Sequence, residues 1–252
     1  MPITTPKPGE LTRPGDRGPA VVALKTRLKA HGFWPRGWRI DGGFGKRTAN
    51  RVRAFQTARG LEVDGIVGPR TWAALNAPAF GGKGERAACV RWLQAQLGVT
   101  EHPPGSNQGP KVTAWQDQAG LTGGGYPWCQ CFAGAAAEAA TRGRLRARWF
   151  GGYTPAVVNQ ARRGEYGLRT VPLDAASPGD WIYFKWPDSS SGDLCDHVGV
   201  LVARTAETVT TIDGNTSPQP GSANQESNGG GVFQRTRSRS LVVAAVRIPF
   251  RD

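Results

Sequence analysis

The chain has 252 residues, 38% of them hydrophobic, and a formal net charge of +13. No apolar run approaches the ~18 residues that a membrane-spanning helix needs, so no membrane span is expected and one or two globular domains fit the length. Four cysteines are too few to staple so long a chain, and a core of this size holds itself together, so reduced thiols are the expectation.

The opening stretch MPITTPKPGELTRPG has no apolar segment behind a positive start, so neither a secretory signal nor a transit peptide is expected. The charge is uneven: residues 1–77 hold 14 Lys/Arg against 5 Asp/Glu, a net +9, and residues 78–252 hold 18 against 14, a net +4. A basic front third is drawn to polyanions in general, which leaves nucleic acid, a membrane surface and an anionic wall polymer as candidates.

Val21, Leu24 and Leu28 recur at helical spacing and stop at His31-Gly32, which predicts a first helix with a glycine end. DGGFGKRT at 41–48 then recurs as DGIVGPRT at 64–71, each copy followed by an apolar-periodic segment, Val52/Phe55 and Trp72/Leu75. Asp-Gly with a second glycine suits a tight turn, and Thr48 and Thr71 stand where a helix cap is wanted. Three short helices with no paired acid, nucleophile or metal-ligand cluster favour binding over catalysis.

The pattern from Gly15-Asp16 through Leu24, Leu28, Asp41-Gly42, Phe44-Gly45, Thr48, Val52, Phe55-Gln56, Asp64-Gly65, Thr71-Trp72 and Leu75 resembles the three-helix peptidoglycan-binding domain of bacterial and phage wall hydrolases. The resemblance covers residues 11–77 and implies a groove between helices that grips wall glycan and peptide stem. Trp72 and Phe44 are candidate substrate contacts, with helix packing as the other reading for both and for Phe55. Domain one is therefore 1–77. Proline and glycines from Ala77 to Gly82 break the pattern and set a linker at 78–83.

The second domain, 84–252, opens with an amphipathic helix carrying Cys89, Val90, Leu93 and Leu97 and closed by Gly98. YPWCQCFAG at 126–134 leads into an alanine-rich helix predicted over 129 to about 142. After residue 170 four strand-like runs follow, at 180–186, 196–203, 208–214 and 241–249. A helix packed on an antiparallel sheet makes the fold class α+β.

A cysteine at a helix start feels the positive end of the macrodipole, which favours thiolate, and the amides exposed there can receive an oxyanion. Cys129 is therefore the candidate nucleophile. Of the three histidines, His31 and His102 lie in helix-end or loop contexts, whereas His197 opens a strand and is the candidate base. Asp213 or Asn215 in TIDGN could orient it. A zinc site from Cys129, Cys131, Cys195 and His197 is disfavoured because one-residue spacing strains the chelate. A disulfide among Cys131, Cys195 and Cys89 stays open, but Cys129 and Cys131 are too close to bridge easily.

Tyr126-Pro127-Trp128-Cys129 with Phe132, Ser177-Pro178-Gly179-Asp180-Trp181, Asp196-His197-Val198-Gly199-Val200, Ile212-Asp213-Gly214-Asn215 and the closing Thr236-Arg237-Ser238 resemble, in order, the CHAP domain, a papain-like cysteine hydrolase of peptidoglycan. The resemblance spans residues 84–250. It implies Cys129 as nucleophile, His197 as base and Asp213 as orienter with Asn215 contributing; Trp128, next to the cysteine, is a candidate substrate contact. Cys131 replaces the usual small residue and is expected to face the core. Gly123-Gly124-Gly125 stands where some members carry a calcium loop, so no calcium is expected; no other metal and no cofactor are expected either. The composite expectation is a monomeric wall hydrolase with peptidoglycan rather than nucleic acid as partner, an amidase or endopeptidase of a phage acting from the host cytoplasm after membrane breach. A bacterial autolysin and a non-catalytic wall- or nucleic-acid-binding protein are the alternatives.

Overall fold

A computed structural model of the chain describes residues 11–31, 33–35, 37–59, 61–76, 84–217 and 229–251. The chain divides into two compact units, Met1–Gly82 and Lys83–Asp252. The linker expected at 78–83 lies outside the described residues.

In the front unit, α1 (Pro19–Ala30), α2 (Lys46–Ala58) and α3 (Pro69–Asn76) close around Leu24, Leu28, Val52, Phe55, Trp72 and Leu75. Each such side chain contributes roughly 1.5–3 kcal/mol on burial. The two Asp-Gly repeats form equivalent turns: Asp41 Oδ1 accepts the Gly43 N–H at 3.0 Å and Asp64 Oδ1 accepts that of Ile66 at 2.8 Å. Each turn is gripped by a polar side chain from the preceding helix. Lys25 Nζ donates to Asp41 Oδ1 and to the Gly43 carbonyl, both at 2.6 Å, while Gln56 Nε2 donates to Asp64 Oδ1 at 2.7 Å and to the Ile66 carbonyl at 2.8 Å. Gln56 Oε1 also takes the N–H of Gly65 at 2.9 Å, whose φ of 76° suits glycine. The repeat in letters is thus a repeat in hydrogen bonding.

Thr48 and Thr71 do not cap. The carbonyls of Gly45 and Gly68 accept the first helical bonds, from Ala49 and Trp72, so both threonines lie inside the first turn, buried at 2% and 5% exposure. Pro69 at the head of α3 explains the shift, since a proline without an N–H fits the first helical position and places the boundary before it.

The rear unit carries α4 (Glu85–Gln96), α5 (Pro110–Gln118), α6 (Cys129–Ala140) and α7 (Thr154–Arg162). Its strands are β1 (Arg169–Thr170), β2 (Trp181–Phe184), β3 (His197–Arg204), β4 (Thr208–Thr216), β5 (Gly231–Ser238) and β6 (Val242–Arg247), which form one antiparallel sheet in the order β1-β6-β2-β3-β4-β5. The fold is α+β behind a helical front unit. α5, α7, β1 and β5 were not expected: β1 is two residues long, and GVFQRTRS of β5 is polar enough to read as a loop. α4 ends at Gln96, so Leu97 lies outside it. No described helix is long and apolar enough to cross a membrane.

α6 packs on β3, β4, α4 and α5, and its alanines let those elements come close. Trp115, Trp128 and Phe132 form a ring cluster at its start, with centroids 5.0–6.3 Å apart. The SPGD segment before β2 is a clasp. Its Asp180, fully buried, is met by Arg86 at 2.8 Å, Arg247 at 2.9 Å and the Ser177 N–H at 2.9 Å, so the buried charge is compensated from α4 and β6.

Gln56→Ala leaves the Gly65 N–H and the Ile66 carbonyl short of a partner. It should cost the front unit about 1–3 kcal/mol, read as a lowered front-unit transition in calorimetry of the full chain with the rear-unit transition unmoved. An unmoved front-unit transition would contradict the role given to Gln56.

Candidate active site

α6 begins at Cys129 itself. The Trp128 carbonyl takes the first intrahelical bond, from the Phe132 N–H at 2.9 Å. The first-turn amides therefore have no carbonyl of their own helix to bond, and the positive end of the dipole lies at the thiol. Cys129, at 4% exposure, lines a cleft of about 810 Å³, a size that suits small-molecule or peptide binding. The other cysteines are also free thiols. Burial pushes Cys89, Cys131 and Cys195 each up to about 12, so they are protonated at neutral pH. Cys131 is fully buried, packed near Gly152.

His197 opens β3 and is fully buried. Its Nε2 lies 3.1 Å from Asp213 Oδ2. A carboxylate can only accept, so Nε2 carries the proton and Nδ1 is left for Cys129. Nδ1 has no hydrogen-bond partner within ordinary limits, although Cys129 is near enough to raise the pKa of the ring. Burial works against the imidazolium, but Asp213 and Cys129 outweigh it and raise the His197 pKa to about 9. Burial also opposes the Asp213 anion, yet the Arg237 guanidinium at 2.5 Å and the His197 contact hold its pKa down at about 2. The raised histidine stabilises the fold fully below its ordinary 6.5 and loses that contribution as pH rises through about 9. The lowered aspartate contributes above its ordinary 3.8 and loses this as pH falls through about 2.

Two glycines make room for this geometry. A Cβ on Gly199 would collide with Asp213 Oδ1 and lie 2.7 Å from Thr211 Cβ, so the glycine of DHVGV gives the carboxylate its space. A Cβ on Gly214 would lie 2.6 Å from both Phe132 and Trp128, so the glycine of DGN lets β4 close onto the start of α6. Asp196, beside the histidine, works elsewhere. It accepts from Lys185 at 2.9 Å, the Trp186 N–H at 2.8 Å and Ser189 at 2.8 Å, which ties the 186–191 segment into the cleft wall.

Of the expected site residues, Cys129, His197 and Asp213 are brought together. Asn215 follows on β4, fully buried with a φ of 58°. The expected substrate contacts are all buried. Trp128, Trp72 and Phe44 are 0%, 1% and 3% exposed and serve packing, with Trp128 Nε1 donating to Glu101 at 2.9 Å. Exposed aromatic surface at the cleft comes instead from Tyr126 and Tyr153, 46% and 56% exposed. Tyr126 stands two residues before Trp128 in the same motif, a signal that could have found it. Arg237 was visible only as part of a family motif. Among the described residues no three His, Cys, Asp or Glu side chains are grouped as a metal would require.

Residues 17–75 match the family model described as "Putative peptidoglycan binding domain". An uncharacterized protein in the bpoA1 3′ region of Kitasatospora aureofaciens is 48% identical over 61 residues, 24% of this chain and 51% of its own length. The N-acetylmuramoyl-L-alanine amidase CwlL of Bacillus licheniformis is 41% identical over 69 residues, 27% of this chain and 19% of that one. The Burkholderia AP3 phage endolysin structure is 35% identical over 34% of this chain and 33% of its own, with a TM-score of 0.25. The chain thus spans about half the length of one curated relative and about a fifth of the other.

At pH 7 a thiol of pKa about 12 is thiolate in roughly one molecule in 10⁵. Iodoacetamide on the folded protein should therefore label Cys129 first, mapped by peptide mass. Labelling of another cysteine at equal rate would contradict the site.

Proposed function

We propose that this chain hydrolyses bacterial peptidoglycan: the front domain, 1–77, holds the wall, and the rear domain, 84–252, is a papain-like CHAP domain that cuts an amide in it. The observation that carries the reading is the buried His197–Asp213 pair next to a helix-start cysteine that opens into a cleft. The match of residues 17–75 to a peptidoglycan-binding family supports the substrate. Among the described residues the cleft wall includes Asp188, Asp193 and Asp196, the last paired with Lys185 behind it, and no lysine or arginine, although the chain carries +13. Such a wall suits an amine-bearing stem peptide better than an anionic polymer.

In this mechanism Cys129 Sγ, its proton held by His197, attacks the amide carbonyl carbon, and the first-turn amides of α6 receive the developing oxyanion. His197, protonated and steadied by Asp213, gives its proton to the leaving nitrogen, and the amine departs from a thioester on Cys129. Water then attacks the thioester with His197 as base, releasing the acid and returning Cys129 and His197 to their starting state, with the proton on His197. In the same reading the protein is a phage endolysin that reaches the wall once the membrane is breached. A lysis assay with and without holin tests that role, which fails if lysis proceeds equally in both.

Wild type should release new fragments from purified peptidoglycan, and Cys129→Ala should release none while still sedimenting with the wall. Fragments from both would assign the nucleophile elsewhere, and fragments from neither would leave a binding protein. The imidazolium is the proton donor, so turnover should fall as pH rises through about 9. Asp213→Asn removes the anion that supports it and should move that limb down toward the ordinary 6.5. A limb that stays in place would exclude Asp213 as the orienting group.

A further inference from the structure

We propose that Arg237 is a positioning residue of this site, fixing the Asp213 carboxylate in the one orientation that His197 can use; its kinetic consequence rests on the hydrolase reading above. Arg237 pairs with Val209, and two residues further along each strand Arg235 pairs with Thr211. Side chains of alternate residues share a face, so Arg237, Thr211 and Asp213 lie on one side of the sheet. From there the guanidinium runs along the face: Nη1 donates to Asp213 Oδ2 at 2.5 Å and reaches Thr211 Oγ1 at 3.4 Å, and Nη2 reaches Thr216 Oγ1 at 3.3 Å. The oxygen it holds is the one that meets His197 Nε2. One carboxylate oxygen is therefore fixed from two sides, by the histidine on β3 and the arginine on β5.

The arginine is itself fixed. It is 6% exposed, and its Cζ lies 4.9 Å from the centroid of Phe184 and 5.3 Å from that of Trp186. Those two rings are stacked at 5.7 Å and also flank His197, at 6.4 and 6.1 Å. The same aromatic pair thus packs against both cations that share Asp213. A planar fork between rings and a carboxylate is a task that lysine performs poorly. Electrostatics adds a signed consequence. Arg237 and imidazolium compete for one anion, so Arg237 holds the His197 proton less tightly bound than Asp213 alone would.

The test compares wild type with Arg237→Met and Arg237→Lys, by turnover against pH and by nuclear magnetic resonance titration of the His197 ring. Arg237→Met should lose about tenfold to a hundredfold in turnover, by analogy with removal of the outer partner that orients a metal-ligating side chain. Its half-saturating wall concentration should hold, and the alkaline limb should move up by about one pH unit, opposite in sign to Asp213→Asn. Arg237→Lys keeps the charge without the fork, so it should lose turnover with the limb nearly in place. Wild-type turnover in Arg237→Met, or a loss in proportion to unfolded protein with the limb unmoved, would overturn the proposal. Should Arg237→Met fail to fold, full turnover in Arg237→Lys would overturn it as well. If wild type releases no fragments, the hydrolase reading fails by itself. The ring titration then still decides the proposal, which falls if the His197 pKa is the same with and without the guanidinium.

Discussion

A fully buried carboxylate cannot remain charged without partners, and the architecture of the rear unit around its cleft follows from satisfying that of Asp213. Moving a lone carboxylate out of water costs several kcal/mol, and here the cost is offset by Arg237 from β5 and His197 from β3, both on the same oxygen. β4 has to lie between β3 and β5 for this to happen, and the strand order places it there. The charge that Asp213 keeps, together with Cys129, in turn holds a proton on a fully buried imidazole, against the tendency of burial to remove it.

Space is the second constraint. Gly199 leaves the carboxylate its place, and Gly214 leaves β4 its approach to Trp128 and Phe132 at the head of α6. Because Trp128 is clamped by Glu101 and by the rings of Trp115 and Phe132, the residue that follows it, Cys129, starts its helix at a fixed point. The glycines of both motifs thus belong to the site's chemistry through sterics, and Asp196 belongs to it through the cleft wall that it ties down.

What was legible in the sequence is what depends on neighbours along the chain. The Asp-Gly turns bond within two residues, and the helix behind Cys129 and the strand behind His197 follow from local propensity. What was not legible depends on partners far along the chain. β5 reads as a polar loop until its arginines are seen to be buried against β4, at 6% exposure for Arg235 and Arg237. Trp128 resembles a substrate contact in a motif, yet its indole points to Glu101, 27 residues earlier. Thr48 and Thr71 carry the right chemistry for caps but sit three places too late, because glycine and proline set the helix starts.

In the proposed reaction Cys129 forms the bond to substrate. The measurement that tests it most directly is acid quench of the protein mixed with soluble peptidoglycan fragments, followed by peptide mass mapping. The account predicts a thioester adduct on Cys129 that forms before product and vanishes as product appears. Product release with no adduct on Cys129, or an adduct on another residue, would contradict it.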